Sequence, residues 1–401
     1  MERYTREEAA WRAGVSVEAL DPLVGMAILA PDPDGRFSEG DVRRIGVAYR
    51  LEAAGIPLDL LADALRTGDL TLAFMDDTAY GVFSSLTSET FEGLSERTGI
   101  PMSLLAVVRE ATGSAAPAPG DRVREDEMAI VPLLEHQMAH GYRPFILERN
   151  VRVAGDSLRR IAETSGDAWN SEVTEPLFAK GVRGSQIREA LNEVSSGMTD
   201  LDERALIAIY RGQQNHVFMA NILGAFEAML AKTGRRVMVE RHPAMCFLDI
   251  TGYTHLTQER GDVAAADLAS TLARLVERTS VQHGGRAIKW LGDGVMLYFK
   301  DPGPGVEAAL EMVAGVAHAG LPPAHVGLHA GPVVFQEGDY YGQTVNVASR
   351  IAEYARPGEV LVSHEVVAAA DGAGATFHEI GPVELKGVSG AMRLYAAIRE
   401  S

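Results

Sequence analysis

Two short stretches near the middle of the chain limit what it can fold into. In the first, residues 247–254 (FLDITGYT), an apolar run from Ala244 to Leu248 ends in a carboxylate, Asp249, followed by Ile250, Thr251 and Gly252. In the second, residues 288–299 (IKWLGDGVMLYF), two apolar runs flank Gly292-Asp293-Gly294, a pattern that predicts a hairpin with Asp293 at its turn. Short apolar runs bounded by glycine are read as buried strands. Each of them delivers a carboxylate to a Gly-flanked corner. A pair of such carboxylates is a donor set for a divalent cation such as Mg²⁺, which takes hard oxygen ligands and keeps positions open for substrate phosphates. Either aspartate by itself is also an ordinary Asp-Gly turn residue.

A third stretch, residues 338–355 (GDYYGQTVNVASRIAEYA), carries Asp339, Asn346 and Arg350. If the chain is helical from Val345, Asn346 and Arg350 are four apart and share a face. The three stretches in this order resemble the class III nucleotidyl cyclases, over roughly residues 240–401. The resemblance implies that Asp249 and Asp293 hold two metal ions, Mg²⁺ or Mn²⁺, with the Ile250 carbonyl as an extra ligand. It also implies that Lys289 and Asp339 read the base, that Asn346 orients the ribose and that Arg350 stabilises the phosphate in the transition state. Lys386, in VELKG, resembles the family's triphosphate lysine. In that family each site forms between two chains. This chain contains both halves of the set, which implies a homodimer with two identical sites and an inactive monomer.

The implied reaction is attack of the ribose 3′-oxygen on the α-phosphate with loss of pyrophosphate. Backbone amides near Thr251–Thr254 are placed to cradle phosphate at the start of the next helix. Hydrogen-bond sign favours ATP. Adenine offers an acceptor at N1 and donors at N6, which suit a lysine that only donates and an ionised aspartate that only accepts. Guanine inverts both, at about 1–3 kcal/mol for each buried group left unpaired. The stretch 290–296 (WLGDGVM) contains no Gly-Gly-acid-acid run, so a diguanylate cyclase lacks support. A transcription regulator or nucleotide sensor with a non-catalytic cyclase-like domain is the alternative, but a sensor has no need of the intact metal and transition-state set.

Beyond Asp249 the pattern predicts a helix from Asp262 to His283, the hairpin, a helix from about Val306 to Ala319 and a strand over 325–335 (HVGLHAGPVVF). A helix over 344–355, a strand over 358–363, a short helix and two final strands follow. Strands, crossover helices and a hairpin in this order fit a ferredoxin-like α+β sheet with flanking helices.

The preceding residues read as an all-α regulatory region. Residues 4–24 have helix-turn-helix spacing about Gly14, Ser38 and Asp41 form a near capping box, and Gly55 with Pro57 separates two further helices. This part resembles the N-terminal part of MerR-type regulators. Yet Val17 to Val24 carries Glu18 and Asp21 and no Lys or Arg, whereas a helix reading DNA needs cations for phosphate and base edges. The formal charge of −18 also disfavours nucleic acid as a partner. The pattern of residues 7–24 recurs at 91–108, and Gly55 corresponds to Gly141, an offset of about 85 residues that marks a duplicated unit. Residues 112–121 (TGSAAPAPGD) read as a flexible linker. From 151 onward the chain reads as helix, interrupted at Gly155 and Gly166. A stripe of Leu206, Ile209, Val217, Ala220, Leu223, Phe226 and Leu230 follows, with a polar break over Arg211–His216 and a join at Gly234-Arg235-Arg236. A duplicated helical part leading by a long helix into a cyclase resembles the regulatory halves of soluble mycobacterial-type adenylate cyclases. The expected domains are 1–70 and 71–199 for the two helical repeats, 200–239 for the connecting helix and 240–401 for catalysis. A small molecule or pH is the expected kind of signal for the helical region.

In 401 residues no apolar run approaches the roughly 20 needed to span a bilayer, and the N-terminus MERYTREEAA lacks a signal core. The expected location is cytoplasmic, with no membrane partner. The one cysteine, Cys246, excludes an internal disulfide and a cysteine zinc site, and its apolar neighbours predict a buried small side chain.

Overall fold

The repeat in the sequence is also a repeat of structure. A computed structural model describes residues 3–68, 70–76, 85–182, 185–195, 197–233, 242–252, 261–370 and 374–399, in two units, Met1–Gly224 and Ala225–Ser401. In the first unit, one copy runs β1 (Arg3–Tyr4), α1 (Arg6–Ala13), a 3₁₀ turn over Val17–Ala19, α2 (Leu20–Gly25), β2 (Phe37–Ser38), α3 (Glu39–Ala53) and α4 (Leu58–Thr67). The other runs β3 (Leu86–Thr90), α5 (Phe91–Thr98), α6 (Met102–Ala111), β4 (Arg122–Arg124), α7 (Glu125–Ala139) and α8 (Pro144–Trp169). β1 pairs antiparallel with β2, and β3 with β4.

The copies share their caps. Thr5 and Thr90 each accept the N–H three residues on, from Glu8 at 3.2 Å and from Gly93 at 3.1 Å. Gly14 and Gly99 end α1 and α5 at φ of +73° and +71°, a conformation that costs glycine nothing. Asp41 accepts the Ser38 N–H at 2.8 Å to open α3, and Glu127 accepts the Arg124 N–H at 2.7 Å to open α7. Each copy has its own core, one around Leu20, Leu23, Phe37 and Ile45, the other around Phe91, Leu94, Leu104 and Leu134.

Two expectations about the helical unit are corrected here. Residues 112–121 are not a free linker: Asp121 accepts the Ala118 N–H at 2.8 Å, and Pro119 and Asp121 carbonyls accept the N–H groups of Glu92 and Phe91. Gly155 and Gly166 do not interrupt α8, which continues through both. At Gly155 the reason is contact, because a Cβ there would lie 2.6 Å from the Ala111 Cβ on α6. After a π turn (Asn170–Thr174) come α9 (Glu175–Ala179), α10 (Ser185–Ser195) and α11 (Met198–Lys232). The polar stretch Arg211–His216 leaves α11 unbroken, since polar side chains on an exposed helix face disturb no backbone hydrogen bond. The join at Gly234-Arg235-Arg236 lies outside the described residues.

The second unit contains β5 (Ala244–Ile250), α12 (Asp262–Gln282), β6 (Gly285–Leu291), β7 (Gly294–Phe299), α13 (Pro302–His318) and β8 (Ala324–Ala330). Then come β9 (Val334–Gln336), β10 (Asp339–Tyr341), α14 (Gln343–Tyr354), β11 (Val360–Ser363), α15 (His364–Ala369), β12 (Ala375–Glu384) and β13 (Ala391–Arg399). Seven strands form one mixed sheet in the order β12-β13-β11-β8-β5-β7-β6. Its part β8-β5-β7-β6 is antiparallel throughout, and with α12 and α13 as crossovers this is the ferredoxin-like arrangement. The unit is α+β, a mixed sheet with flanking helices, and the unit before it is rich in helix.

Strand alternation decides which face receives the site. On β5, Ala244, Cys246, Leu248 and Ile250 enter a core with Leu297, Phe299, Val306, Met312 and Leu328. Successive side chains point to opposite faces, so Met245, Phe247 and Asp249 turn to the other side. There Met245 and Met296 pack with Tyr340 and Ala348. The expected single strand over 325–335 is two. Pro332 has no N–H to continue the ladder, and β9 forms a separate hairpin with β10.

Candidate active site

Asp249 is the last but one residue of β5, in register with Gly294 on β7 and His325 on β8. A Cβ at position 294 would lie 3.2 Å from both the Asp249 Oδ1 and the Leu248 carbonyl oxygen. Glycine therefore permits the close approach of the turn that carries Asp293. The carboxyl of Asp249 is held above the usual range, first by partial burial and then by the charge of Asp293, against the opposing effects of His325 and the Ile250 N–H. A carboxylate close enough to disfavour the ionisation of Asp249 makes with it a fitting donor pair for a cation. Ile250 is buried, so its backbone carbonyl is the group it has to offer.

His325, which the sequence reading did not single out, completes this corner. Its Nε2 lies 3.7 Å from Asp249 Oδ2 and its Nδ1 lies 3.2 Å from the Thr251 hydroxyl. One ring thus spans a candidate metal carboxylate and the residue after β5. Two residues of the expected amide cradle, Tyr253 and Thr254, lie outside the described residues.

A second cluster lies on β6 and the β9–β10 hairpin. Lys289 Nζ donates to Asp339 Oδ2 at 2.5 Å, and Asp339 Oδ1 accepts the Tyr340 N–H at 2.8 Å. Arg286, also missed, fastens the hairpin. Its Nη2 donates to the Tyr340 hydroxyl at 2.8 Å, and its guanidinium lies 5.6–5.8 Å from the rings of Tyr298, Phe335 and Tyr340. The Tyr298 and Tyr340 rings stack at 4.6 Å. An arginine that follows a strand-initiating Gly-Gly gives no sequence signal, because its three aromatic partners come from positions 298, 335 and 340.

Asn346 and Arg350 lie on α14 as expected. Asn346 is exposed, and Arg350 Nη1 reaches Glu353 on its own helix at 2.5 and 2.6 Å. Lys386 is exposed in the β12–β13 connection. The structure thus gathers Asp249, Asp293 and His325 in one corner and Lys289 with Asp339 in another. Arg350 is engaged by Glu353 rather than by either cluster.

Residues 239–398 match the family model for the adenylate and guanylate cyclase catalytic domain. The pH-sensitive adenylate cyclase MT1302 of Mycobacterium tuberculosis is 30% identical over 320 residues, covering 76% of this chain and 77% of that protein. This chain is a class III nucleotidyl cyclase. A Streptomyces coelicolor adenylate cyclase is 30% identical to the cyclase described here, over 53% of this chain and 52% of that one. Among solved structures, the adenylyl cyclase CyaB of P. aeruginosa is 23% identical with a TM-score of 0.37, covering 40% of this chain and 95% of that chain. The cyclase is therefore an enzyme, a phosphorus–oxygen lyase, which sets aside the sensor without catalysis. Among its described residues no helix is long and apolar enough to cross a membrane.

Proposed function

We propose that this cyclase converts ATP to 3′,5′-cyclic AMP and pyrophosphate at sites shared by two copies of the chain, under the control of its helical region. The observation that carries the choice of ATP is the pair Lys289 and Asp339, 2.5 Å apart. A fixed donor beside a fixed acceptor complements the N1 and N6 edge of adenine and opposes that of guanine.

Asp249 and Asp293, with the Ile250 carbonyl, would hold Mg²⁺ or Mn²⁺, two ions per site. When bound, these ions supply charge neutralisation at the attacking 3′-oxygen and the leaving triphosphate. The protein's own groups do the rest. His325 holds the Asp249 carboxylate and the Thr251 hydroxyl in place. Lys289 and Asp339 fix the base. Asn346 orients the ribose, and Arg350, released from Glu353, presents fixed positive charge to the phosphoryl group as its charge spreads. Lys386 holds the triphosphate.

The two-copy reading is supported by α11. Leu201, Ile209, Val217, Leu223 and Phe226 are each more than half exposed on it, an apolar surface of the kind that marks an interface. Control by the helical region is supported by the mycobacterial relative, which matches through both parts and is described as pH-sensitive.

Base choice is tested by Lys289→Glu combined with Asp339→Cys. The pair inverts the donor–acceptor pattern, so kcat/KM for GTP should rise relative to ATP. An unchanged ratio would remove these residues from base reading. Control is tested by comparing the full chain with residues 235–401, where equal specific activity at every pH from 5 to 8 would refute it.

A further inference from the structure

The two helical repeats differ at one place in a way that points to a ligand. In the second copy, Glu89 on β3 receives Arg97 of α5 in a bidentate bond, Nε at 2.7 Å and Nη2 at 2.9 Å. With Thr90 matching Thr5 and Gly99 matching Gly14, Arg97 corresponds to Arg12 of α1 and Glu89 to Tyr4 of β1. The first copy thus keeps the arginine and replaces its carboxylate with a tyrosine.

The consequence is a cavity of about 360 Å³ lined by Arg3, Tyr4, Glu8, Trp11, Arg12 and Arg36. Arg12 stacks on the Tyr4 ring at 4.3 Å. Among the described residues, the carboxylate within ion-pair range of Arg12 is that of Glu125, at 3.8 Å and exposed. Glu8, one turn earlier on α1, is committed elsewhere, since its Oε2 accepts the Thr5 N–H at 2.7 Å. Arg3 reaches Asp32 at 3.8 Å, and Arg36 donates to the Arg3 carbonyl at 3.4 Å. Three guanidinium groups therefore line one small cavity in a chain of net charge −18, each held loosely by the protein. A bidentate carboxylate is the partner for which guanidinium geometry is suited, and the volume is at the small end of ligand pockets.

We propose that the first helical repeat binds a small organic anion bearing two or three carboxylates, one of which takes on Arg12 the place that Glu89 takes on Arg97. Arg3 and Arg36 receive the remaining charge, and Trp11 walls the cavity.

The test uses the full chain and isothermal titration at constant ionic strength, with citrate, succinate and inorganic phosphate as probes and a 20-base-pair DNA duplex as a control. Citrate should bind saturably to the wild type. Arg12→Gln should weaken it at least tenfold. Tyr4→Glu builds the internal pair of the second copy and should abolish it, with a melting temperature no lower than that of Arg12→Gln. If Tyr4→Glu fails to fold, Arg36→Gln, at an exposed position, should weaken citrate severalfold. The proposal fails if no probe saturates, or if citrate binding survives Arg12→Gln unchanged. Phosphate binding more tightly than citrate overturns the carboxylate assignment. Duplex binding that falls in parallel with Arg12→Gln overturns the small ligand in favour of a nucleic-acid backbone.

Discussion

Asp249 carries its carboxyl in a place that disfavours the ionised form. Its carboxyl is raised above its ordinary value of 3.8 by burial and by Asp293. A raised folded value means that stability is fully present below the ordinary value and declines as pH rises through the folded one. Asp249→Asn should therefore melt higher than wild type at pH 7 in the presence of EDTA. The difference should vanish near pH 3, where both side chains are neutral, while cyclase activity is lost. Melting curves over that pH range check the sign, and a lower melting temperature for the variant at pH 7 would contradict it. Arg286 gives a second prediction at this scale. Arg286→Met removes one hydrogen bond and a three-ring cation contact, together about 1 kcal/mol at a partly exposed site. If the cost falls on placing Asp339, the KM for ATP rises roughly fivefold with kcat little changed. Tyr340→Phe keeps the rings and should show a smaller rise. A fall in kcat alone would mean that the clamp serves something other than the base.

At the scale of elements, the two glycines of α8 separate packing from propensity. Gly155 touches Ala111, whereas nothing lies within 4 Å of a Cβ built at Gly166. Gly155→Ala should destabilise by about 1–3 kcal/mol through overpacking, and Gly166→Ala should stabilise by up to about 1 kcal/mol through helix propensity. Denaturant unfolding of the two variants decides this, and effects of the same sign would refute the assignment. The same pair shows where sequence reading ends. Both glycines look alike as helix breakers, because the atom that distinguishes them belongs to residue 111. Likewise the ribbons β1–β2 and β3–β4 went unseen, since β1 and β2 have two residues each and show no alternation. The site strands were legible for the opposite reason. The unbroken apolar run from Ala244 to Leu248 is long enough to stand out, and Asp249 is the first polar residue after it. His325 and Arg286 were not legible, because what makes them notable is their partners across the sheet.

At the scale of the whole molecule, the separation of Arg350 from the two aspartates becomes a mixing experiment. Asp249→Ala and Arg350→Ala chains should each be inactive. In an equal mixture about half the dimers are mixed, and each of these has one intact site of two. About a quarter of wild-type activity should return. No recovery, with heterodimers demonstrated by differential tagging, would place both residues in one chain's site. The duplicated helical unit was readable from the pattern of residues 7–24 that recurs at 91–108, and its matched glycines, Gly14, Gly55, Gly99 and Gly141, all stand at positive φ. The difference between the copies was not readable, since it lies in which side chain meets an arginine.

If Lys289 and Asp339 read the base as proposed, the bond between them would act as a latch. The two side chains already satisfy each other, so an arriving base would meet not two open hands but a closed grip. Adenine opens it by offering a replacement for each partner at once. A base with the inverted edge offers neither, and the latch stays shut with nothing left wanting. Rejection on this account adds to the cost of the groups that guanine would leave unpaired. On the proposed reading, the cost of opening this bond would fall on a wrong nucleotide before it is seated.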